Sequence, residues 1–384
     1  MINKLSSRCF SATCPNPSVG LGIALKGSLP HAGYHWDGWT KPFFEGWYTR
    51  VTLPCTSDLD NPDPVSFSFM YAIDPQQGGM AQVLGPRDQL CWRTFPNPKG
   101  FWAERDHLAL GHWGAFQEGI HHPNPTGLQE ALTFFQTLSS GYQFTAHLNQ
   151  GVLPDPLCPE PVRWLYRIQP DYAYGIPPQA TMGIGSYLPI FEPGWQILMA
   201  HGLASGWVEW SGKRYEFQRA PVYAEKNWGQ SFPRRWFWIQ CNAFPDHPRL
   251  SLTCAGAERQ VLARTEEVAL ISLHGWGSQP FLEWRPGQAQ LTWQVDPWGS
   301  WQVAGQSSTW AIQLQGDTQE PGQTVFTPGP QGMQRNCRDT LAGHLRIRLW
   351  QRDGQVWRQV LSTASHQSGL EVGGDLLQSW HGQC

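Results

Sequence analysis

Short runs in which apolar and polar residues alternate, each closed off by Pro or Gly, recur from Phe44 to Thr363, and no other feature restricts the fold of this chain so tightly. A repeat of two turns one face of an extended segment toward a core and the other outward, while frequent Pro and Gly break a helix before it can bury a stripe. The pattern predicts a chain of strands. They fall at residues 44–53, 65–73, 81–84, 100–104 and 142–148, then at 195–200, 203–210 and 213–218, with Ser211-Gly212 as the hairpin turn between the last two. A second series follows at 236–244, 250–255, 267–273, 281–284, 289–295, 300–304, 310–314, 345–350 and 356–363. That is enough for a second closed or nearly closed sheet, with residues 321–330 as a long loop. One segment departs from the pattern: Leu128, Ala131, Leu132, Phe135 and Leu138 recur at helical spacing, with Thr126 placed to cap them. A single short amphipathic helix packed against the strands is expected there. Residues 1–29 show no period and read as a flexible arm. The 40 Gly and 32 Pro agree with an all-β chain rich in turns, and the 22 Trp with interiors lined by large rings.

Charge argues against one class of partner. The formal net charge is -3, so there is no basic field to hold nucleic acid. Nine cysteines, odd in number and nowhere in a Cys-x-x-Cys pair, imply neither a disulfide framework nor a zinc knuckle, and reduced thiols in a cytoplasmic setting fit them best. No apolar run approaches the roughly 20 residues that cross a bilayer, and the first residues carry no apolar signal core. A soluble protein, or one lying against a membrane, is expected. There is no phosphate loop, no Gly-x-Ser-x-Gly and no His-Glu-x-x-His, and Gly183-Ile-Gly185 runs into Leu188 where a dinucleotide site needs a small residue. Cofactors are therefore not expected. His31, His35 and Asp37 are near in sequence, but Gly33 and the flanking aromatic residues argue for a loop, and no metal site is predicted.

The chemistry concentrates in residues 221–244, which hold Glu225, Lys226 and Asn227 in adjacent positions and then Trp228, Trp236 and Trp238. Carboxylate, ammonium and amide among indoles are costly to bury unless paired. In an extended segment Tyr223, Glu225 and Asn227 project from one face and Lys226 from the other. An aromatic, partly dehydrated setting would raise the pKa of Glu225 and make it a proton donor; the competing reading is a structural carboxylate held by Lys226. Glu45, sharing a strand face with Trp47, is the second candidate acid. Arg234 and Arg235 read as a solvated turn or as contacts to membrane phosphates. Singly, Trp47, Trp228, Trp236 and Trp238 are core residues; together they are candidates for one cavity wall. The stretch also falls where the first series of strands hands over to the second, a common place for a pocket.

The run Tyr223-Ala-Glu-Lys-Asn-Trp-Gly-Gln-Ser-Phe-Pro-Arg-Arg-Trp-Phe-Trp-Ile-Gln-Cys-Asn242 resembles the tocopherol cyclases of cyanobacteria and plants. So do Pro30-His-Ala-Gly-Tyr-His-Trp-Asp-Gly38, Phe43-Phe-Glu-Gly-Trp-Tyr48, Phe191-Glu-Pro-Gly-Trp-Gln196, Gly206-Trp-Val-Glu-Trp210, Cys337-Arg-Asp-Thr340 and Leu370-Glu-Val-Gly-Gly374. The resemblance implies two lipocalin-like antiparallel β-barrels in tandem, at 30–230 and 231–384, as in the related carotenoid 1,2-hydratases. It implies closure of a methyl- or dimethyl-phytyl-benzoquinol to the chromanol of δ- or γ-tocopherol, without cofactor or redox change. In the hydratases an acid two residues after a Tyr protonates an alkene; Tyr223 and Glu225 stand at that spacing, with Glu in place of Asp. On this likeness Glu225 is the acid, and Trp47, Trp228 and either Trp236 or Trp238 surround the cation. Tyr223, Asn227, Lys226 or Glu45 then orient the quinol oxygens. Proton loss from the phenol would return the proton to the same carboxylate. A cyanobacterial source is implied, and a long prenyl tail implies contact with a thylakoid or other lipid surface. Two alternatives share the aromatic cavity: a non-catalytic prenyl-quinol carrier and an alkene hydratase.

Overall fold

The computed structural model describes residues 29–54, 65–120, 127–155, 160–187, 192–261, 264–329 and 331–384, without the side chains of 260 and 261. The predicted arm, residue 29 apart, and the predicted helix cap Thr126 lie outside the described residues. The alternating runs form two antiparallel sheets of 11 strands each. The first contains β1 Phe44–Leu53, β2 Val65–Asp74, β3 Gly78–Leu84, β4 Leu90–Phe95, β5 Phe101–Ala103, β6 Ala109–Phe116, β7 Leu138–Thr145, β8 Leu148–Leu153, β9 Val162–Tyr172, β10 Gly194–Trp210 and β11 Lys213–Gly229. The second contains β12 Arg235–Cys241, β13 Ser251–Val261, β14 Arg264–Trp276, β15 Gln279–Trp284, β16 Gln290–Val295, β17 Ser300–Gln306, β18 Trp310–Asp317, β19 Gln323–Gly329, β20 Gly332–Asp353, β21 Val356–Gly374 and β22 Trp380–Gln383.

Each sheet is an up-and-down meander that a long-range pairing brings round on itself, the lipocalin-like arrangement. In the first, β1 pairs with β11, leaving β4 and β5 as the ends of the order β4-β3-β2-β1-β11-β10-β9-β8-β7-β6-β5. The curl is tight enough that Phe95 of β4 stacks on His112 of β6, ring centres 4.6 Å apart. In the second, β12 pairs with β21, and at the far end the Trp380 indole of β22 donates to Glu267 of β14 at 2.9 Å. Each barrel fills with its own apolar cluster, Trp164, Phe69 and Tyr142 among the first set and Trp284, Trp301 and Trp380 among the second.

Burial separates two kinds of strand. β16 alternates exposed and buried residues without a break, as a strand with one wet face must. β1, the segment Val222–Glu225 of β11 and the segment Trp236–Cys241 of β12 are buried on both faces, because the two barrels pack back to back across them. Arg50 of β1 spans that junction, its guanidinium donating to Gln240 Oε1 at 3.0 Å, Leu341 O at 3.0 Å and Gln367 O at 2.8 Å.

Several expectations change. Residues 195–200 and 203–210 form one strand with bulges rather than two, and the strand expected to end at Gln218 runs on to Gly229. Residues 321–330 hold β19 instead of a plain loop; it pairs with β20 alone, and such an edge position tolerates its Pro328. The strands β4, β6, β9 and β22 were not expected, and residues 142–148 split between β7 and β8. The helix is shorter than its apolar spacing, Ala131–Thr137, since Leu138 is already extended and opens β7. It lies against the first barrel, with Phe134 6.2 Å from the Trp113 ring.

Candidate active site

In an antiparallel pair, directly opposed residues share a face. β1 and β11 set Tyr48 opposite Glu225, Gly46 opposite Asn227 and Arg50 opposite Tyr223, all turned toward the second barrel. Trp47 opposite Lys226 and Glu45 opposite Trp228 turn into the first barrel. From the facing side, β12 presents Trp236 and Trp238, and β21 presents Glu371 opposite Trp238. Between these walls lies a cavity of about 400 Å³. Tyr48, Trp195, Glu225, Asn227, Trp236 and Trp238 contribute to its lining, with Glu371 and a mainly apolar remainder.

Glu225 is buried at this junction, and three donors converge on its Oε2: the Tyr223 hydroxyl at 2.6 Å, the Trp195 indole at 3.0 Å and the Trp238 indole at 3.1 Å. Oε1 is the oxygen left to carry a proton. Burial pushes the carboxyl up to about 7, and the Glu371 charge adds to the rise, while the three hydrogen bonds hold it back. Glu225 thus holds its proton near neutral pH in an aromatic, dehydrated site, the condition for a general acid. Burial, followed by the Glu225 carboxyl, lifts the Tyr223 hydroxyl well above its ordinary value, so Tyr223 stays a donor.

Indole packing shapes the wall. Gly373 lies beneath Trp236, where a Cβ would come within 2.0 Å of the ring, so only glycine lets that ring lie flat against β21. Held there, Trp236 donates its Nε1 proton to Glu371 Oε1.

A family model described as "Tocopherol cyclase-like" matches residues 41–374. The chain belongs to the tocopherol cyclase-like family. It is 35% identical over 388 residues to the tocopherol cyclase, chloroplastic, of Zea mays, across 92% of this chain and 79% of that one. It is also 35% identical to the probable tocopherol cyclase, chloroplastic, of Oryza sativa subsp. japonica, across 92% of this chain and 80% of the relative. Among solved structures, kievitone hydratase from Nectria haematococca aligns with a TM-score of 0.46 at 11% identity, covering 86% of this chain and 89% of that one.

In this tocopherol cyclase-like chain the residues singled out in the sequence divide into two groups. Glu225, Asn227, Trp236 and Trp238 line the cavity, and Tyr223, buried behind the wall, joins them through its bond to Glu225. Lys226, Glu45 and Trp228 do not: Lys226 and Glu45 are a fully buried ion pair inside the first barrel. Lys226 Nζ also donates to Gly33 O at 2.7 Å and lies 5.4 Å from the Trp228 ring centre, and Trp228 stacks on His35 at 4.0 Å. Trp47 borders the cavity, yet its ring packs among Tyr34, Phe101 and the Lys226 ammonium. Burial alone would raise the pKa of Glu45, but the Lys226 ammonium and the His35 ring hold it below the usual carboxylate range. Glu45 is thereby an anion without a proton to give. His31 and His35 bond to each other at 3.1 Å, and no cluster of three His, Cys, Asp or Glu able to hold a metal ion occurs among the described residues.

Trp195, Tyr48 and Glu371 were not singled out from sequence as site residues. All three fall in blocks that carry the family resemblance, but no spacing joins them to Glu225; strand pairing does.

Proposed function

We propose that the chain is a tocopherol cyclase that closes a phytylated hydroquinone to a chromanol. The observation that carries this reading is Glu225, a buried carboxyl with three donors on one oxygen, set in an aromatic cavity between the barrels. Proton transfer from Oε1 to the trisubstituted alkene of the prenyl chain produces a tertiary cation. Faces of Trp195, Trp236 and Trp238 lower its energy, and the apolar lining keeps water from trapping it. The ring hydroxyl of the same molecule is the nucleophile, so attack is intramolecular. Asn227, on the cavity face of β11, orients the quinol oxygens. Product and substrate are isomers, and the chemistry calls for no redox partner.

A quinol with a long prenyl tail partitions into lipid, and the reading has the protein collect it at a membrane or lipid surface. No helix among the described residues is long and apolar enough to cross a membrane. Support comes from the cavity lining at Thr181 and Met182, which leads in sequence into a segment whose Ile184 is 91% exposed and Tyr187 61% exposed.

The test is incubation of the purified protein with the phytyl quinol, followed by chromatography and mass spectrometry. A chromanol, isomeric with the substrate, supports cyclisation. A product heavier by one water assigns a hydratase, and binding without conversion assigns a carrier.

A further inference from the structure

Opposite Glu225 the second barrel presents another carboxyl that the proposed reaction has not yet used. Trp238 of β12, Glu371 of β21 and Asp339 of β20 are directly opposed across three neighbouring strands, so their side chains stand in one row on one face. Glu371 lines the cavity and is held by the Trp236 indole at Oε1. Asp339 has no exposed surface, and neither of its carboxyl oxygens has a hydrogen-bond partner. The Tyr48 hydroxyl, on the cavity wall contributed by β1, is likewise buried without a partner.

Charge counting constrains this cluster. The groups facing it are Glu225 and Tyr223 of β11, Arg50 and Tyr48 of β1, Cys337 and Asp339 of β20, and Asp88 in the turn before β4. β12 lines the cavity with the uncharged Trp236, Phe237 and Trp238. Arg259 and Arg285 border the cavity beside their own carboxylates, Glu266 and Glu283. Among the described residues Arg50 is the cation whose charge acts on Asp339 and Asp88, and four buried carboxylates cannot all be ionised beside it. Asp88 accepts from the Thr340 hydroxyl at 2.6 Å and the Leu341 amide at 2.9 Å. Burial pushes both Asp339 and Glu371 up, and the Glu371 charge adds to the rise at Asp339, so the two resist being ionised together.

We propose that Glu371 is a second catalytic carboxyl: it accepts a hydrogen bond from the quinol hydroxyl that closes the ring and takes that proton as the C–O bond forms, with Asp339 as the positioning residue that keeps the pair singly protonated. The proposal rests on the cyclase reading. Addition across an alkene favours delivery of the proton to one face and attack by oxygen from the other. The attacking O–H then points away from Glu225 toward the opposite wall, where Glu371 stands. In the balanced step, the Glu225 O–H bond breaks and a C–H bond forms. The phenol oxygen bonds the tertiary carbon, and its proton passes to the Glu371 carboxylate. Before the next turnover that proton returns to Glu225, so nothing is consumed.

The experiment compares kcat and kcat/KM for phytyl quinol across pH in the full-length wild type, Glu371→Gln and Asp339→Asn. Wild type should give a bell, its rising limb set by ionisation of the pair and its falling limb by Glu225. Glu371→Gln should lower kcat about 10²- to 10³-fold with KM changed only a few-fold, abolish the rising limb, and move the falling limb to lower pH because a charge facing Glu225 is gone. Asp339→Asn should keep much of kcat and shift the rising limb to lower pH, since Glu371 loses the neighbour that opposes its ionisation. A Glu371→Gln enzyme that keeps both its rising limb and near-normal kcat overturns the assignment. If that variant does not fold, an unmoved rising limb in Asp339→Asn does the same. Wild type that forms no chromanol overturns the cyclase reading beneath it.

Discussion

Glu225 owes its chemistry to a balance between burial, which raises its pKa, and three hydrogen bonds, which lower it. Glu225→Gln keeps the shape and removes the proton, so chromanol formation should fall at least about 10²-fold while quinol affinity, read by fluorescence titration, stays within a few-fold. Activity should decline as pH rises through about 7, because the acid must be protonated to act. Removing a donor to the carboxyl weakens the ionised form. Tyr223→Phe should therefore move that decline upward by about one pH unit, the equivalent of roughly 1.4 kcal/mol, and a pH profile of kcat/KM measures it. At this scale the Tyr-x-Glu spacing was readable because both residues lie on one strand face. The other two donors were not: Trp195 and Trp238 lie 30 and 13 residues from Glu225 in sequence.

β11 carries opposite chemistries on its two faces, an acid toward the cavity and a neutralised ion pair toward the first barrel. Lys226→Met leaves the Glu45 carboxylate buried without its cation, at an expected cost of about 3–5 kcal/mol in urea unfolding; adding Glu45→Gln should restore part of it. The sign with pH follows from Glu45, held below its ordinary value of 4.5. Its contribution is fully present above that value and is lost as pH falls through the lower folded one. Neither change should move the activity limb assigned to Glu225, and a shift of that limb would place Lys226 in its control. Gly373→Ala on β21 should displace the Trp236 ring and its bond to Glu371, lowering turnover more than stability. Burial on both faces of β1, of Val222–Glu225 in β11 and of Trp236–Cys241 in β12 hid which face meets the cavity from the alternation pattern, since a strand segment packed on both sides has no polar face to reveal its register.

The cavity exists because two barrels press together, and neither sheet encloses it alone. Its lining residue Met182 stands two positions before exposed Ile184 and five before exposed Tyr187. If the protein takes its substrate from lipid, Ile184→Asp combined with Tyr187→Asp should reduce turnover of vesicle-borne quinol about tenfold or more and leave turnover in detergent micelles near wild type. Withdrawing an isoleucine from an apolar phase costs about 1.5–3 kcal/mol. Equal losses in both assays would mean that these residues support the fold rather than a lipid contact.

What the sequence determined by itself was local and periodic. Alternation bounded by Pro and Gly set an all-β chain with two series of strands, a short helix near Leu132, and the opposite facing of Glu225 and Lys226, because side-chain direction in a strand follows from position alone. What tertiary structure decided was everything that depends on register between distant strands. Pairing of β1 with β11 sent Glu45 to Lys226 and away from the cavity, and pairing of β12, β21 and β20 aligned Trp238, Glu371 and Asp339 opposite Glu225. A shift of one residue in any of these pairings would turn each side chain to the other face, and no short-range pattern in the chain encodes that choice.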